Sequence, residues 1–270
     1  QSVADELRTS GRTVALVPTM GYLHEGHLEL MRVAARQADV VIASIFVNPT
    51  QFGPGEDLEQ YPRDFEGDKR KAGSAGVEAI FAPGAAEMYP PGFQTRVTVD
   101  RVSKNLCGVS RPVHFQGVAT VVSKLFNCVK PHLAVFGEKD YQQLVVIRRM
   151  TADLNMDVRI VGVPTVREPD GLAMSSRNAY LSQEERRSAL CLSKSLDLAR
   201  RLYREGERDA GVIRGAVVDF IASHPFTSID YVSLCDPDSL EDVDLLGDRT
   251  LLALAVHVGS TRLIDNCILG

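Results

Sequence analysis

The sequence lacks the features that would mark a membrane protein, a disulfide scaffold or a nucleic-acid binder. No apolar run approaches the ~20 residues that a bilayer-spanning helix needs, and no signal-peptide pattern opens the chain. The five cysteines (Cys107, Cys128, Cys191, Cys235 and Cys267) are odd in number, scattered and without a close pair. Reduced thiols in a cytoplasmic protein are therefore expected. A formal net charge of -5 gives no general attraction to nucleic acid or anionic membranes. The last third of the chain shows no basic stripe or aromatic stacking pattern, and an internal repeat, a low-complexity tract and a long like-charge block are missing throughout. What is left is an ordinary globular composition, 44% hydrophobic and 24% charged over 270 residues. Such a chain is long enough for about two domains.

The stretch from Thr13 to Ala38 organises the rest. Val14, Ala15, Leu16 and Val17 form the continuous apolar run of a central parallel strand. A glycine-marked turn follows, and then Leu30, Met31, Ala34, Ala35 and Ala38 recur at helical spacing. His24 and His27 fall at the start of that helix, where backbone N–H groups are unpaired and the dipole is positive. Such a place binds phosphate.

Further on, Val40 to Val47, Val77 to Ala82, His132 to Phe136 and Val158 to Val163 read as strands. Asp64 to Ala72, His114 to Lys130 and Asp140 to Leu154 read as helices between them, and Pro49, Pro54 and Pro62 mark an irregular loop. Alternation of strand and helix predicts a doubly wound, Rossmann-like parallel sheet. Ligands of such sheets lie beyond the carboxyl ends of strands, where His24, Asn48 and Lys139 fall. Pro164 to Gly171 is dense in turn formers, so the expected domains are residues 1–166 and 167–270. The second is read as a small α+β domain. The capping box Ser182-Gln-Glu-Glu185 opens a helix to about Glu205, a second helix runs from Asp209 to Ser223, and Ile229 to Cys235 and Leu251 to Val258 are strands.

Several side chains suit chemistry on a phosphorylated substrate. Imidazoles at positions 24 and 27 can donate to phosphate oxygens and stabilise charge on a leaving pyrophosphate. The plain alternative is a pair of unrelated surface or core histidines; a zinc site is a further one, but no third ligand stands at a recognisable spacing. Lys139 follows a strand and would reach phosphate as a mobile point charge, while Asp140 could simply cap the next helix. Gln143 lies one helical turn further on and Gln51 follows Asn48-Pro49. Two amides in one cleft suit a substrate rich in hydroxyls. Ser175, Ser176 and Arg177 could wrap a triphosphate, or form a surface turn before the capped helix. The acidic run Asp64, Glu66, Asp68 reads by itself as a solvated helix face.

His24-Glu-Gly-His27 resembles the His-x-Gly-His signature of the nucleotidyltransferase superfamily, and Met174-Ser-Ser-Arg177 resembles the Lys-Met-Ser-Lys-Ser loop of class I aminoacyl-tRNA synthetases. Pro18-Thr-Met-Gly21, His24-Glu-Gly-His27, Ile45-Phe-Val-Asn-Pro-Thr-Gln-Phe52, Phe136-Gly-Glu-Lys-Asp-Tyr-Gln-Gln143 and Gly171-Leu-Ala-Met-Ser-Ser-Arg-Asn178 together resemble the pantothenate synthetase family. The likeness runs from about Arg12 to about Asn266.

That resemblance implies an AMP-forming ligase that condenses pantoate with β-alanine through a pantoyl adenylate, with ATP as substrate and Mg²⁺ as cofactor. It implies ATP contacts at Met20, Gly21, His24, His27, Gly137, Lys139, Asp140, Val166, Met174, Ser175, Ser176 and Arg177. Pantoate would lie against Met20, Asn48, Gln51, Gln143 and Arg111, with His114 beside Arg111. Asn48 would support the reacting groups, and Asp68 and Asp64 would hold the metal, although Gly67 interrupts the acidic pair of some relatives. Tyr22 stands where relatives often have a small residue. Relatives also carry a further segment before the first strand, so the start at Gln1 reads as trimmed. The second domain would act as a lid carrying the Met-Ser-Ser-Arg loop, and the molecule would be a homodimer. The rival readings are a nucleotidyltransferase acting on a phosphorylated small molecule, and a nucleotide-binding regulatory module without turnover.

Overall fold

The computed structural model describes residues 1–270. In chain order its elements are α1 (Ser2–Thr9), β1 (Val14–Thr19), α2 (Glu25–Ala35), β2 (Val40–Ile45), α3 (Phe65–Ser74), β3 (Ala79–Phe81), α4 (Ala85–Met88), α5 (Cys107–Ser110) and α6 (His114–Val129). There follow β4 (Leu133–Gly137), α7 (Tyr141–Asp153), β5 (Arg159–Val163), α8 (Gln183–Arg204), α9 (Ala210–Ala222), β6 (Thr227–Cys235), β7 (Thr250–Val258) and β8 (Thr261–Leu269). These elements divide into two units. One holds Gln1–Ser103, Arg111–Glu138 and Gln143–Pro164; the other holds Lys104–Ser110, Lys139–Gln142 and Thr165–Gly270.

The first unit is built on a five-stranded parallel sheet of order β3-β2-β1-β4-β5. β1 lies in the middle, with Leu16 opposite Ile42 on one side and Ala134 on the other. Val14 to Val17 are fully buried, as a strand covered on both faces requires. Leu30, Met31 and Ala34 of α2 pack with Ala15 and Val17. α6 buries Val118, Val121, Val122, Leu125, Phe126 and Val129, the residues its spacing predicts. From β1 the order runs to β2 on one side and β4 on the other. The carboxyl ends of β1 and β4 therefore flank the switch point at which such sheets take ligands.

The second unit is a three-stranded antiparallel meander of order β6-β7-β8. Leu192 and Leu196 of α8 and Ile213, Val217 and Ile221 of α9 form one core with Leu234, Leu252 and Leu254. The capping box is present: the Ser182 hydroxyl accepts from the Glu185 N–H (3.2 Å), and the Glu185 carboxylate accepts from the Ser182 N–H (2.9 Å).

Several local expectations are corrected. Ala35 is exposed, because α2 ends there. The third strand is only Ala79–Phe81. Glu138–Asp140 form a 3-10 turn, and the helix begins at Tyr141. α1, α4, α5 and β8 come in addition to the expected elements. In β8, Leu263, Cys267 and Leu269 alternate inward, but Asp265 takes an inward place at 2% exposure and breaks the apolar pattern. No helix is long and apolar enough to cross a membrane, and all five cysteines are free.

Candidate active site

The turn after β1 is held from its start. The Thr19 hydroxyl donates to the Ser44 carbonyl (2.8 Å) and accepts from the Gly21 N–H (3.2 Å), tying the ends of β1 and β2. Gly21 has φ +86°, and a Cβ there would lie 3.0 Å from both the Asp68 carboxylate and the Ile45 side chain. Only glycine fits. Tyr22 is also left-handed (φ +50°).

His24 is the residue before the first turn of α2, and its N–H donates to His27 Nδ1 at 3.3 Å. The two rings stack with centroids 4.0 Å apart and planes 29° apart. Because Nδ1 of His27 accepts, a neutral His27 carries its proton on Nε2, which is thereby a donor. Two imidazoles at the positive end of a helix form a natural seat for an oxyanion.

A second cluster forms after β2. Asn48 is 1% exposed. Its amide donates to Gln51 Oε1 (3.1 Å) and the Gly117 carbonyl (3.2 Å), while its carbonyl accepts from Thr50 and from the Tyr89 hydroxyl (2.7 Å). Asn48 thus fixes the side chain of Gln51, whose amide lies 3.2 Å from Met20 Sδ. Gly117, in the body of α6, is what lets this loop approach. A Cβ there would stand 2.4 Å from the Thr50 carbonyl oxygen and 2.6 Å from the Gln51 nitrogen.

The Gln51 carbonyl is held in turn by His114 Nδ1 (2.9 Å) and by Arg111 (3.3 Å). Arg111 grips the Glu56 carboxylate through two bonds, one of them Nε to Oε1 at 3.0 Å. Burial pushes the Glu56 carboxyl up, yet the Arg111 hydrogen bond and charge, the Gly53 N–H and His114 together hold it below the usual range. Arg111, expected to face pantoate, holds Glu56 and the loop that carries Gln51.

The two carboxylates expected to hold a metal are engaged with backbone. Asp64 caps α3, its Oδ1 accepting from the Gly67 N–H at 3.0 Å. A Cβ at Gly67 would lie 2.0 Å from Asp64 Oδ2, so a larger residue there would displace the capping carboxylate. Asp68 is 1% exposed and accepts from the Tyr22 N–H (2.7 Å) and the Leu23 N–H (2.6 Å). No group of three or more His, Cys, Asp or Glu side chains is arranged to hold a metal ion.

Gly137 ends β4, and Gln143 sits half-buried on α7. Its neighbour Gln142 is a structural residue of the second unit, bonded to the Cys107 N–H (3.0 Å) and the Asn105 carbonyl (2.6 Å). Lys139 and Asp140 also belong to the second unit, with Lys139 Nζ 3.9 Å from Asp140 Oδ1. The Lys139 carbonyl accepts from the Asn266 amide of β8 at 2.9 Å.

β8 anchors the Met174–Arg177 loop as well. Arg167 forks the Asp265 carboxylate with bonds of 2.7 and 2.9 Å and donates to the Gly171 carbonyl (3.1 Å). Val166 and Met174 are joined by a backbone bond of 3.0 Å. Ser175 accepts from the Arg177 N–H at 3.2 Å, and Ser176 is buried. Asn178 ties the loop to Glu168 (2.7 Å), which Arg186 holds together with Asp170. Asp265 and Asn266 thus steady two groups given a phosphate role. Neither they nor Glu56 nor Gly117 emerged from the sequence. Gly117 alone had a signal there, as a glycine inside an apolar helical run costs about 1 kcal/mol unless packing requires it.

Comparison with known proteins bears on this arrangement. The family model described as pantoate-beta-alanine ligase matches residues 1–268. The chain belongs to that family. The pantothenate synthetase of Syntrophus aciditrophicus (strain SB) is 60% identical over 270 residues, covering 100% of this chain and 94% of the relative. That of Geotalea uraniireducens (strain Rf4) is 61% identical over 270 residues, 100% of this chain and 96% of the relative. The crystal structure of pantothenate synthetase from Thermus thermophilus superposes with a TM-score of 0.93 at 47% identity, covering 98% of this chain and 96% of that one. The pantoate-beta-alanine ligase from Francisella tularensis, solved with beta-gamma ATP and beta-alanine, gives 0.78 at 32% identity and covers 99% of this chain and 95% of that one. The ligase family thus shares the doubly wound parallel sheet and the smaller antiparallel domain seen here.

Proposed function

We propose that the chain makes pantothenate in two steps. The pantoate carboxylate attacks the α-phosphorus of ATP and expels pyrophosphate; the amine of β-alanine then attacks the acyl carbon of the resulting pantoyl adenylate and expels AMP. The first step makes the acyl carbon electrophilic without a covalent enzyme nucleophile. The protein's part is therefore positioning and charge stabilisation. One observation carries the reading: the stacked His24–His27 pair at the start of α2, directly beyond the central strand.

In the first unit, the Nε2–H of His27 and the ring of His24 serve as donors to phosphate oxygens, with Gly21 and Gly137 leaving room for the nucleotide. Met20, Gln51 and Gln143 take pantoate, and Asn48 acts through the orientation it imposes on Gln51. In the second unit, Lys139, Ser175, Ser176 and Arg177 are the groups for phosphate, while Val166, Met174 and Asp140 take the nucleoside. The Asp68 carboxylate, buried with each oxygen on a backbone N–H, does not fit a protein-held Mg²⁺, whereas Asp64 is exposed and caps α3 through one oxygen only; no step is assigned to a metal. A cytoplasmic homodimer belongs to the same reading, and light scattering will measure the mass.

The deciding experiment follows isotope exchange between pyrophosphate and ATP, with AMP release measured in parallel. Exchange that needs pantoate but not β-alanine, with AMP appearing only when both are present, is the expected result. Exchange driven by a phosphate ester would point to a nucleotidyltransferase. ATP binding without either reaction would point to a regulatory module.

A further inference from the structure

We propose that Asp68 is a positioning residue for the His24–His27 pair, its carboxylate and the Lys71 ammonium bracing the Gly21–Leu23 turn from α3. The inference rests on the phosphate role given to the two imidazoles, and it replaces the metal role that the sequence suggests for Asp68.

Gly21 and Tyr22 are consecutive left-handed residues (φ +86° and +50°). The turn they make aims the successive N–H groups of Tyr22 and Leu23 at one carboxylate. Asp68 gives one carboxylate oxygen to the Tyr22 N–H (2.7 Å) and the other to the Leu23 N–H (2.6 Å). Three residues further along α3, on the same face, Lys71 Nζ donates to the Leu23 carbonyl at 2.7 Å. Both polar groups of the Leu23 backbone are thus fixed by one helix, and its side chain is 2% exposed. The next residue is His24, whose N–H contacts His27 Nδ1.

A metal ligand would look different. Mg²⁺ keeps several waters and needs an approachable carboxylate oxygen. Asp68 is 1% exposed, each oxygen lies on a backbone N–H, and no acidic cluster surrounds it. The glycine at position 21 suits the brace, since any Cβ would press on the Asp68 oxygen at 3.0 Å.

Asp68→Asn tests this, because an amide can accept from one N–H but must turn its NH₂ toward the other. The variant is expected to exchange the Tyr22 and Leu23 amide hydrogens faster than wild type. Its kcat for pantoate-dependent pyrophosphate exchange should fall on the order of 10²-fold, the effect of displacing catalytic groups by about 1 Å. The Mg²⁺ concentration for half-maximal rate should stay unchanged. Unaltered amide exchange would overturn the proposal, and so would a raised Mg²⁺ requirement with the rate restored by excess Mg²⁺. Should Asp68→Asn fail to fold, Lys71→Met decides: a lower kcat with faster Leu23 exchange supports the brace, and wild-type behaviour in both removes it. A wild-type protein without pantoate-dependent exchange would defeat the functional reading alone, since amide exchange reports on the brace without any turnover.

Discussion

The turn that presents His24 and the loop that presents Ser175 to Arg177 are held by opposite means. Around the first, buried side chains bond mostly to backbone groups: Asp68 to Tyr22 and Leu23, Asn48 to Gly117, and Thr19 to Ser44. Around the second, ion pairs dominate, with Arg167 on Asp265 and Arg186 on Glu168 and Asp170. Arg186 and its partners remain partly in solvent. Bonds to buried backbone set one geometry and are costly to break. Half-exposed ion pairs are weaker, are screened by salt and exchange readily. The first unit thus offers a fixed seat, whereas the second offers a loop anchored at one buried point and adjustable elsewhere.

Removing that buried point should have the largest effect. Arg167→Met strands the Asp265 carboxylate, 2% exposed, and should destabilise the second unit by about 3 kcal/mol, the low end for a broken buried pair. Urea unfolding measures the loss. Arg186→Ala, at the exposed end of the same network, should cost no more than about 1 kcal/mol. Equal losses in the two variants would erase the distinction between anchor and periphery.

Gly117→Ala probes the fixed seat next. Its methyl would press on the Thr50 and Gln51 backbone, and overpacking of this kind costs about 1–3 kcal/mol. The seat moves with the loop, so the KM for pantoate should rise more than the KM for ATP. Equal changes in both would show that Gln51 is not singled out.

Acid should release the Arg111–Glu56 clasp. The folded-state pKa of Glu56 lies below its ordinary value of 4.5, so its contribution is present above that value and is lost as pH falls through the depressed one. Glu56→Gln should therefore be less stable than wild type at pH 7, with the gap closing below about pH 4.5. A gap that persists in strong acid would mean that packing, and not charge, is what Glu56 supplies.

The smallest effect concerns the thiols. Burial pushes Cys191 and Cys235 up to about 12 and Cys267 up to about 11. Thiolate is the reactive form, so a thiol reagent at pH 8 should first modify Cys128, the one cysteine that is not buried. Prompt modification of Cys191 would reveal opening of the second unit's core.

The sequence was most legible where one periodicity ruled a segment. Val14 to Val17 announced a central strand, and the apolar face of His114 to Val129 announced its helix. β8 stayed hidden because Asp265 occupies a core position that only Arg167, far away in sequence, makes tolerable. Of the candidate site, the motif residues could be read, but not what holds them. Asp68 and Arg111 are charged residues whose partners lie 45 and 55 positions away in the chain. Sequence pattern cannot distinguish a carboxylate that cradles backbone N–H groups from one that awaits a cation.

The role given to the His24–His27 pair is to stabilise charge on the departing pyrophosphate. Pyrophosphate–ATP exchange with pantoate, measured for His27→Ala beside wild type, tests it most directly. Loss of one donor should cost about 2.7–4 kcal/mol, or roughly 10²–10³ in kcat, with the fold intact by circular dichroism. A folded His27→Ala protein that exchanges at the wild-type rate would contradict the account.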